Sequence, residues 1–257
     1  MRAALTSVAL LLFCSAAAHA VTYRVNPAGS GDFPTIQAAL DAAASGDTVA
    51  LEIGIYTGNG NHNLSFHGRA IIFRSRSGNP SSCSIDMQGH DNTGIVLFDR
   101  EGPGTVIEGI TIRGGVTGIL CGDYSSPTIE NCIIRENRTD TEGGGICVLH
   151  YSYPTVRGCQ FINNYAGSDG GGIGFLDVIG GPAAATVSNC YFQGNEAGFH
   201  GGGASFTGDQ WSSFTDCIFV GNRAYSGGAF FACAHGGGMT RCTFIDNQAR
   251  WGGSGTI

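Results

Sequence analysis

The sequence predicts an all-β fold, a right-handed single-stranded parallel β-helix with a short N-terminal capping helix, on three observations. A unit of the form Cys-x-[Ile/Phe]-x-x-Asn recurs at nearly constant spacing, a glycine block follows most copies, and one short helical pattern precedes them all.

Residues 1–20 come first and set the compartment. Arg2 supplies a positive start, Val8 to Phe13 an apolar run, and Ala18-His19-Ala20 a small-x-small cleavage site ahead of Val21, the layout of a secretory signal. Cys14 is no lipid attachment site on this reading, because Phe13 stands where a small residue is needed and the better cleavage site lies downstream. No later apolar run approaches the roughly 20 residues that a membrane helix requires. A secreted or cell-surface protein without a transmembrane segment is expected.

Residues 21–66 are expected to form a cap and the first coil. In the stretch from Asp32 to Ala44 apolar residues fall at Ile36, Ala39, Leu40 and Ala43, a helical spacing, with Pro34 near the start. Gly46-Asp47-Thr48-Val49 then turns the chain into a strand. A short amphipathic helix here would cover the open end of a stack, which otherwise exposes unpaired backbone and core.

Residues 67–257 carry the repeats. TIENCIIREN (128–137), TVRGCQFINN (155–164), TVSNCYFQGN (186–195), SFTDCIFVGN (213–222) and MTRCTFIDN (239–247) place cysteines at 132, 159, 190, 217 and 242, in steps of 27, 31, 27 and 25. Two residues on stand Ile134, Phe161, Phe192, Phe219 and Phe244; five residues on stand Asn137, Asn164, Asn195, Asn222 and Asn247. Glycine blocks follow at 143–145, 170–172, 201–203 and 227–228, and Ile107 to Gly115 reads as a degenerate earlier coil. Residues two apart share a face of a strand, and glycine runs suit bends and close approaches rather than helices. The period fits three short strands and three turns per coil, stacked about 4.8 Å apart, so that thiols, rings and amides form interior ladders. An asparagine at a recurrent turn can bond neighbouring coils and tolerates left-handed backbone. The chain ends at Ile257 inside a further glycine block, which predicts a piece of a longer protein.

Composition narrows the partners. The chain has 43 glycines, 13% charged residues, no lysine, and a formal charge of −7 that grows more negative when Arg2 leaves. Such a surface argues against nucleic acid, whose phosphates need neutralising cations. It also argues against a polyanionic glycan unless Ca²⁺ bridges the two.

Phe33-Pro34-Thr35-Ile36-Gln37-Ala38-Ala39, Gly46-Asp47-Thr48-Val49 and Gly54-Ile55-Tyr56 resemble the opening segment of the pectin-lyase-like β-helix superfamily, which includes pectate lyases, pectin methylesterases and polygalacturonases. The Phe-x-x-Asn and Gly-Gly-Ala/Ile repeats are similar to those of polymorphic outer-membrane proteins and other secreted bacterial β-helix proteins. The resemblance spans nearly all of 21–257 and implies the fold strongly and the function weakly, because this architecture hosts many chemistries.

A lyase of this kind would carry acidic Ca²⁺ ligands and an arginine base on one outward strand face. With Ile146, Ile173, Ala204 and Ala229 taken as inward, the outward neighbours are Cys147, Gly174, Ser205 and Phe230, none of them acidic or arginine. The lyase pattern Arg-x-Pro-x-x-Arg has no match. Glycosidases need two carboxylates roughly 5–10 Å apart; Asp177 and Asp209, with His150 and His235 at comparable loop positions, form the best set the sequence offers. Their plain reading is solvated loop. No metal site is expected, because no Cys-x-x-Cys pair exists and the cysteine spacing is that of the coil. Buried free thiols and disulfides between rungs both stay open. Trp211, Trp251, Phe199, Tyr151 and Tyr225 fall in turns, where an aromatic ring can stack on a sugar. Asn137-Arg138-Thr139 and Asn63-Leu64-Ser65 match the glycosylation pattern, but the first belongs to the interior ladder.

Two functions remain. The favoured one is a monomeric, non-catalytic adhesion or glycan-contact module acting on extracellular polysaccharide or a cell surface, without cofactor. The alternative is a pectate-lyase-like enzyme, a polysaccharide lyase or glycoside hydrolase, with Ca²⁺ if it is a lyase.

Overall fold

The computed structural model describes residues 19–176, 183–206, 212–232, 237–251 and 255–256. The chain winds as a parallel β-solenoid whose strands collect into sheets of nine, eight, eight and five members among the described residues. One coil shows the plan: Thr128–Glu130 lies in the first sheet, Ile133–Arg135 in the second, Arg138–Thr139 in the fourth and Ile146–Leu149 in the third. The next coil repeats it with Thr155–Arg157, Gln160–Ile162, Tyr165–Ala166 and Ile173–Leu176. Each strand pairs in parallel with its counterpart one coil away, as in Thr128↔Thr155 and Ile134↔Phe161. Three strands per coil therefore hold only for the lower coils; from Arg138 upward a fourth short strand is present.

The expected columns run up the inside. Phe161, Phe192 and Phe219 are buried and stack with centroids 4.7 and 4.5 Å apart, and Phe244, 42% exposed, stacks on Phe219 at 5.3 Å. Cys132, Cys159, Cys190 and Cys217 are at most 2% exposed, and register extends their column downward through Ile110 to Cys83. Each thiol turns back to backbone carbonyls, as Cys159 does to Ile129 and Arg157. All the described cysteines are free. Asn137, Asn164, Asn195 and Asn222 are at most 1% exposed, which also shuts the Asn137 glycosylation pattern inside.

The corners are made differently from expectation. The ladder asparagines are not the left-handed residues; the residues just before the cysteine and just before the asparagine are. Asn131, Asn189 and Asp216 have φ of 50, 52 and 55°, and Glu136 and Asn163 have φ of 57 and 54°. The ladder side chains are thereby free to bridge coils rather than to stabilise their own turn.

The glycine blocks fold back over the third sheet. Gly143, Gly170, Gly201 and Gly227 all have φ near +60°, and a Cβ on Gly170 would stand 2.2 Å from the Ile173 carbonyl oxygen. Only glycine lets this loop lie flat on the strand that follows. The outward residues Cys147 and Ser205 are consequently 4% and 1% exposed, so this is no open face. Register also corrects one inward assignment: Ala204 pairs with Phe230, not Ala229, so the outward residue of that coil is Phe231.

Helix Ile36–Ala42 forms as its spacing predicts, with Thr35 as N-cap accepting from the Ala38 N–H at 3.3 Å. Ile36, Ala39 and Leu40 are buried, and the helix packs against strands Thr22–Val25, Thr48–Leu51 and Leu64–Ser65. Among the described residues no helix is long and apolar enough to cross a membrane.

Candidate functional site

Asp177 and Asp209 lie outside the described residues, as do His235 and Trp211. His150 is described, at φ 48° in a turn beside Tyr151. The Tyr151 ring lies face to face with Tyr124 at 4.9 Å, and Arg100 sits 5.1 Å over Tyr124. Tyr124 remains 50% exposed beside these two neighbours. Phe199, Tyr225 and Trp251 are exposed at 57, 43 and 66%.

The outward face of the first sheet holds a charged column that sequence reasoning missed. Register aligns Arg74, Glu108, Glu130 and Arg157 on successive rungs. Two carboxylates therefore stand about 4.8 Å apart at the backbone, in a cleft of about 360 Å³ lined by Glu108, Glu130, Asn131, Arg157, Gly158 and Asn189. Glu130 accepts from the Arg157 guanidinium, and that pairing raises the Arg157 pKa above the ordinary value. Aligning TVIEGITIR (105–113) with TIENCIIR (128–135) places Glu108 on Glu130 and Arg113 on Arg135, a signal already present in the degenerate coil.

On the second sheet Arg113 donates through Nη2 to Asp86 at 2.6 Å, with Glu136 3.8 Å from Nη1. One corner here is expanded by the 3₁₀ turn Pro80–Ser82, whose Pro80 carbonyl accepts from the Thr111 hydroxyl at 2.8 Å. The overhang encloses about 340 Å³, with Ser82, Ser84, Thr111, Arg113 and Arg135 on its polar side and Ile133 among its apolar walls.

The fourth sheet carries a groove of about 430 Å³. The strands at Ala197, Ala224 and Ala249 run beneath it, and Glu196, Arg223, Tyr225, Gln248 and Arg250 line it. Arg223↔Gln248 and Ala224↔Ala249 are rung partners, so the groove follows the stacking axis. Ala197 and Ala224 are 3% and 6% exposed and alternate along their strands with exposed residues, so their methyl groups face the interior.

A histidine–carboxylate pair sits at the glycine loops. His200 meets Asp169 through Nδ1 at 2.9 Å, its backbone N–H donates to the same oxygen at 3.0 Å, and Phe231 stacks on the ring at 4.1 Å. Glu142 is one rung below Asp169; burial first, and the nearby Asp169 charge, raise its carboxyl above the usual range. Among the described residues no group of three or more His, Cys, Asp or Glu is arranged to hold a metal.

These features define a parallel β-solenoid whose interior is closed and whose chemistry lies in shallow polar grooves along its outer faces. The chain belongs to the right-handed β-helix family: the family profile described as "Right handed beta helix region" matches residues 69–249. The solved structure of pectate lyase Pel9A is similar at a TM-score of 0.52 and 13% identity, covering 86% of this chain and 78% of that one. At that identity the likeness is one of fold. In sequence, no curated protein matches the chain.

Proposed function

We propose that the chain is an exported, monomeric β-helix module that contacts extracellular polysaccharide or a cell surface and leaves it chemically unaltered. On this reading residues 1–20 are removed on export, 21–66 close one end and start the stack, and 67–257 form the contact body. The observation that carries the proposal is the fourth-sheet groove, which runs along the axis and combines an exposed Tyr225 with Arg223, Gln248 and Arg250. An amphipathic ring flanked by fixed donors and acceptors is the chemistry that holds hydroxyl-rich chains. The arginines place positive charge locally on a chain that is acidic overall. Retention on immobilised polysaccharides, with Ca²⁺ and with chelator, tests it. Tyr225→Ala should reduce retention about tenfold, equivalent to ~1.4 kcal/mol, and unchanged retention would remove this groove from the proposal.

A second reading is favoured by Glu108 and Glu130. Two carboxylates on adjacent rungs are the raw material of glycoside hydrolysis, and the fold likeness to a pectate lyase allows a Ca²⁺-dependent lyase in which Asp177 and Asp209 act. Absorbance of unsaturated products from polygalacturonate reports lyase elimination, and new reducing ends without that absorbance report hydrolysis; the two assays, each with Ca²⁺ and with chelator, separate the classes. Turnover abolished by Asp177→Ala and Asp209→Ala would support the lyase, and turnover abolished by Glu130→Gln would support the hydrolase. Absence of turnover supports the contact module.

A further inference from the structure

Val21, the residue after the small-x-small site, begins the described body of the fold in a particular way. Its backbone N–H donates to Asp47 Oδ1 at 2.7 Å, while Asp47 Oδ2 accepts from the Ala44 N–H at 2.7 Å. The Thr48 N–H donates to the Val21 carbonyl at 2.8 Å, which fixes the nitrogen in place from the other side. Asp47 is only 6% exposed, whereas Val21 is 44% exposed and Ala20 is exposed. A carboxylate is thus shielded and aimed at the one backbone nitrogen that cleavage would convert into a chain terminus.

We propose that cleavage between Ala20 and Val21 creates an α-ammonium group on Val21 that forms an ion pair with Asp47, so that maturation itself fastens the first strand to the coil above. Cleavage by a signal peptidase adds water across the amide bond. The oxygen goes to the Ala20 carboxylate, and both hydrogens go to the Val21 nitrogen, which becomes NH₃⁺ where a neutral N–H stood. A neutral hydrogen bond becomes a charge-assisted one, roughly twice as strong, between a shielded carboxylate and a partly exposed terminus. The Asp47 carboxyl already lies below its ordinary pKa because the Val21 and Ala44 N–H groups stabilise its charged form. The inference rests on the export reading of residues 1–20.

The test separates the two. Intact mass of the exported protein reports the cleavage site, and a start other than Val21 refutes the export reading at that bond. Independently, the 21–257 chain is prepared with a free and with an acetylated N-terminus, which keeps the N–H donor but removes the charge. The free-terminus protein should unfold about 2–4 °C higher, and the difference should vanish in Asp47→Asn. Equal midpoints for the free and acetylated proteins, or a difference that persists in Asp47→Asn, overturn the ion pair.

Discussion

Asn164 Nδ2 donates to Asn195 Oδ1 at 3.0 Å, and the same oxygen accepts the Asn164 backbone N–H at 3.0 Å. Asn195 Nδ2 in turn reaches the Phe161 carbonyl and Asn222 Oδ1, each at 2.9 Å. Every polar atom of this buried amide is used, and each use ties one coil to another. A satisfied buried network of this kind is costly to interrupt, because removing one member strands its partners without water.

Asn195→Ala should therefore destabilise the protein by about 2–4 kcal/mol, read as a lower urea midpoint. A loss below about 0.5 kcal/mol would mean that the ladder is ornamental.

Gly201 and Gly221 make a matched pair of left-handed glycines, with φ of 59 and 62°. A Cβ on Gly201 would meet the Ala204 carbonyl oxygen at 2.1 Å, whereas on Gly221 it would meet nothing within 4 Å. Gly221→Ala should cost about 1 kcal/mol, the strain of the backbone alone. Gly201→Ala should cost at least twice that, because loop and strand must separate. Equal costs in thermal unfolding would refute the close-approach role of the glycine blocks.

Burial pushes the Cys83 and Cys147 thiols up to about 12. The thiolate is the reactive form, so both should resist maleimide at pH 8 in the native state. Cys242 is only half-buried and should be modified before Cys83, Cys147 or Cys159, as peptide mapping after timed labelling would show. Labelling of Cys159 ahead of Cys242 would contradict the closed interior.

Glu142 has its carboxyl pKa raised in the folded state, burial being the leading cause and the Asp169 charge adding to it. A raised carboxyl costs stability while both folded and unfolded states are ionised. That cost is relieved as pH falls through the folded value towards the ordinary 4.5. Glu142→Gln should raise the unfolding temperature at pH 7 and give no gain below pH about 4. A gain that grows as the pH falls would reverse the sign and refute the assignment.

The ladders were legible because three residue types recur at fixed offsets, and a strand period of two places them on one face. Helix Ile36–Ala42 was legible for the same reason at a period of 3.6. Cys83 was missed as a rung because an expanded corner, Ser77 to Ser82, separates its strand, Cys83–Asp86, from the preceding strand Ile72–Ser75, and Ile110 interrupts the sulfur column. The Glu108–Glu130 pair was missed because the search for acids followed the glycine loops, not the strands between them. The one-residue slip at Ala229 arose because that glycine block is a residue shorter than its neighbours, and only strand pairing sets which residue then faces inward. Local composition fixes what can stack; the lengths of the corners decide which residues meet.

In-register stacking is tested most directly by distances along one outward column. Spin labels at Arg74 paired in turn with Ser188, Thr215 and Thr240 lie four, five and six rungs apart, in proteins with Cys242 replaced by serine. Pulsed dipolar spectroscopy should give separations near 19, 24 and 29 Å, rising by about 4.8 Å per coil whatever the number of residues between labels. Separations that follow sequence distance instead, or that fail to rise from one pair to the next, would contradict the stacked coil.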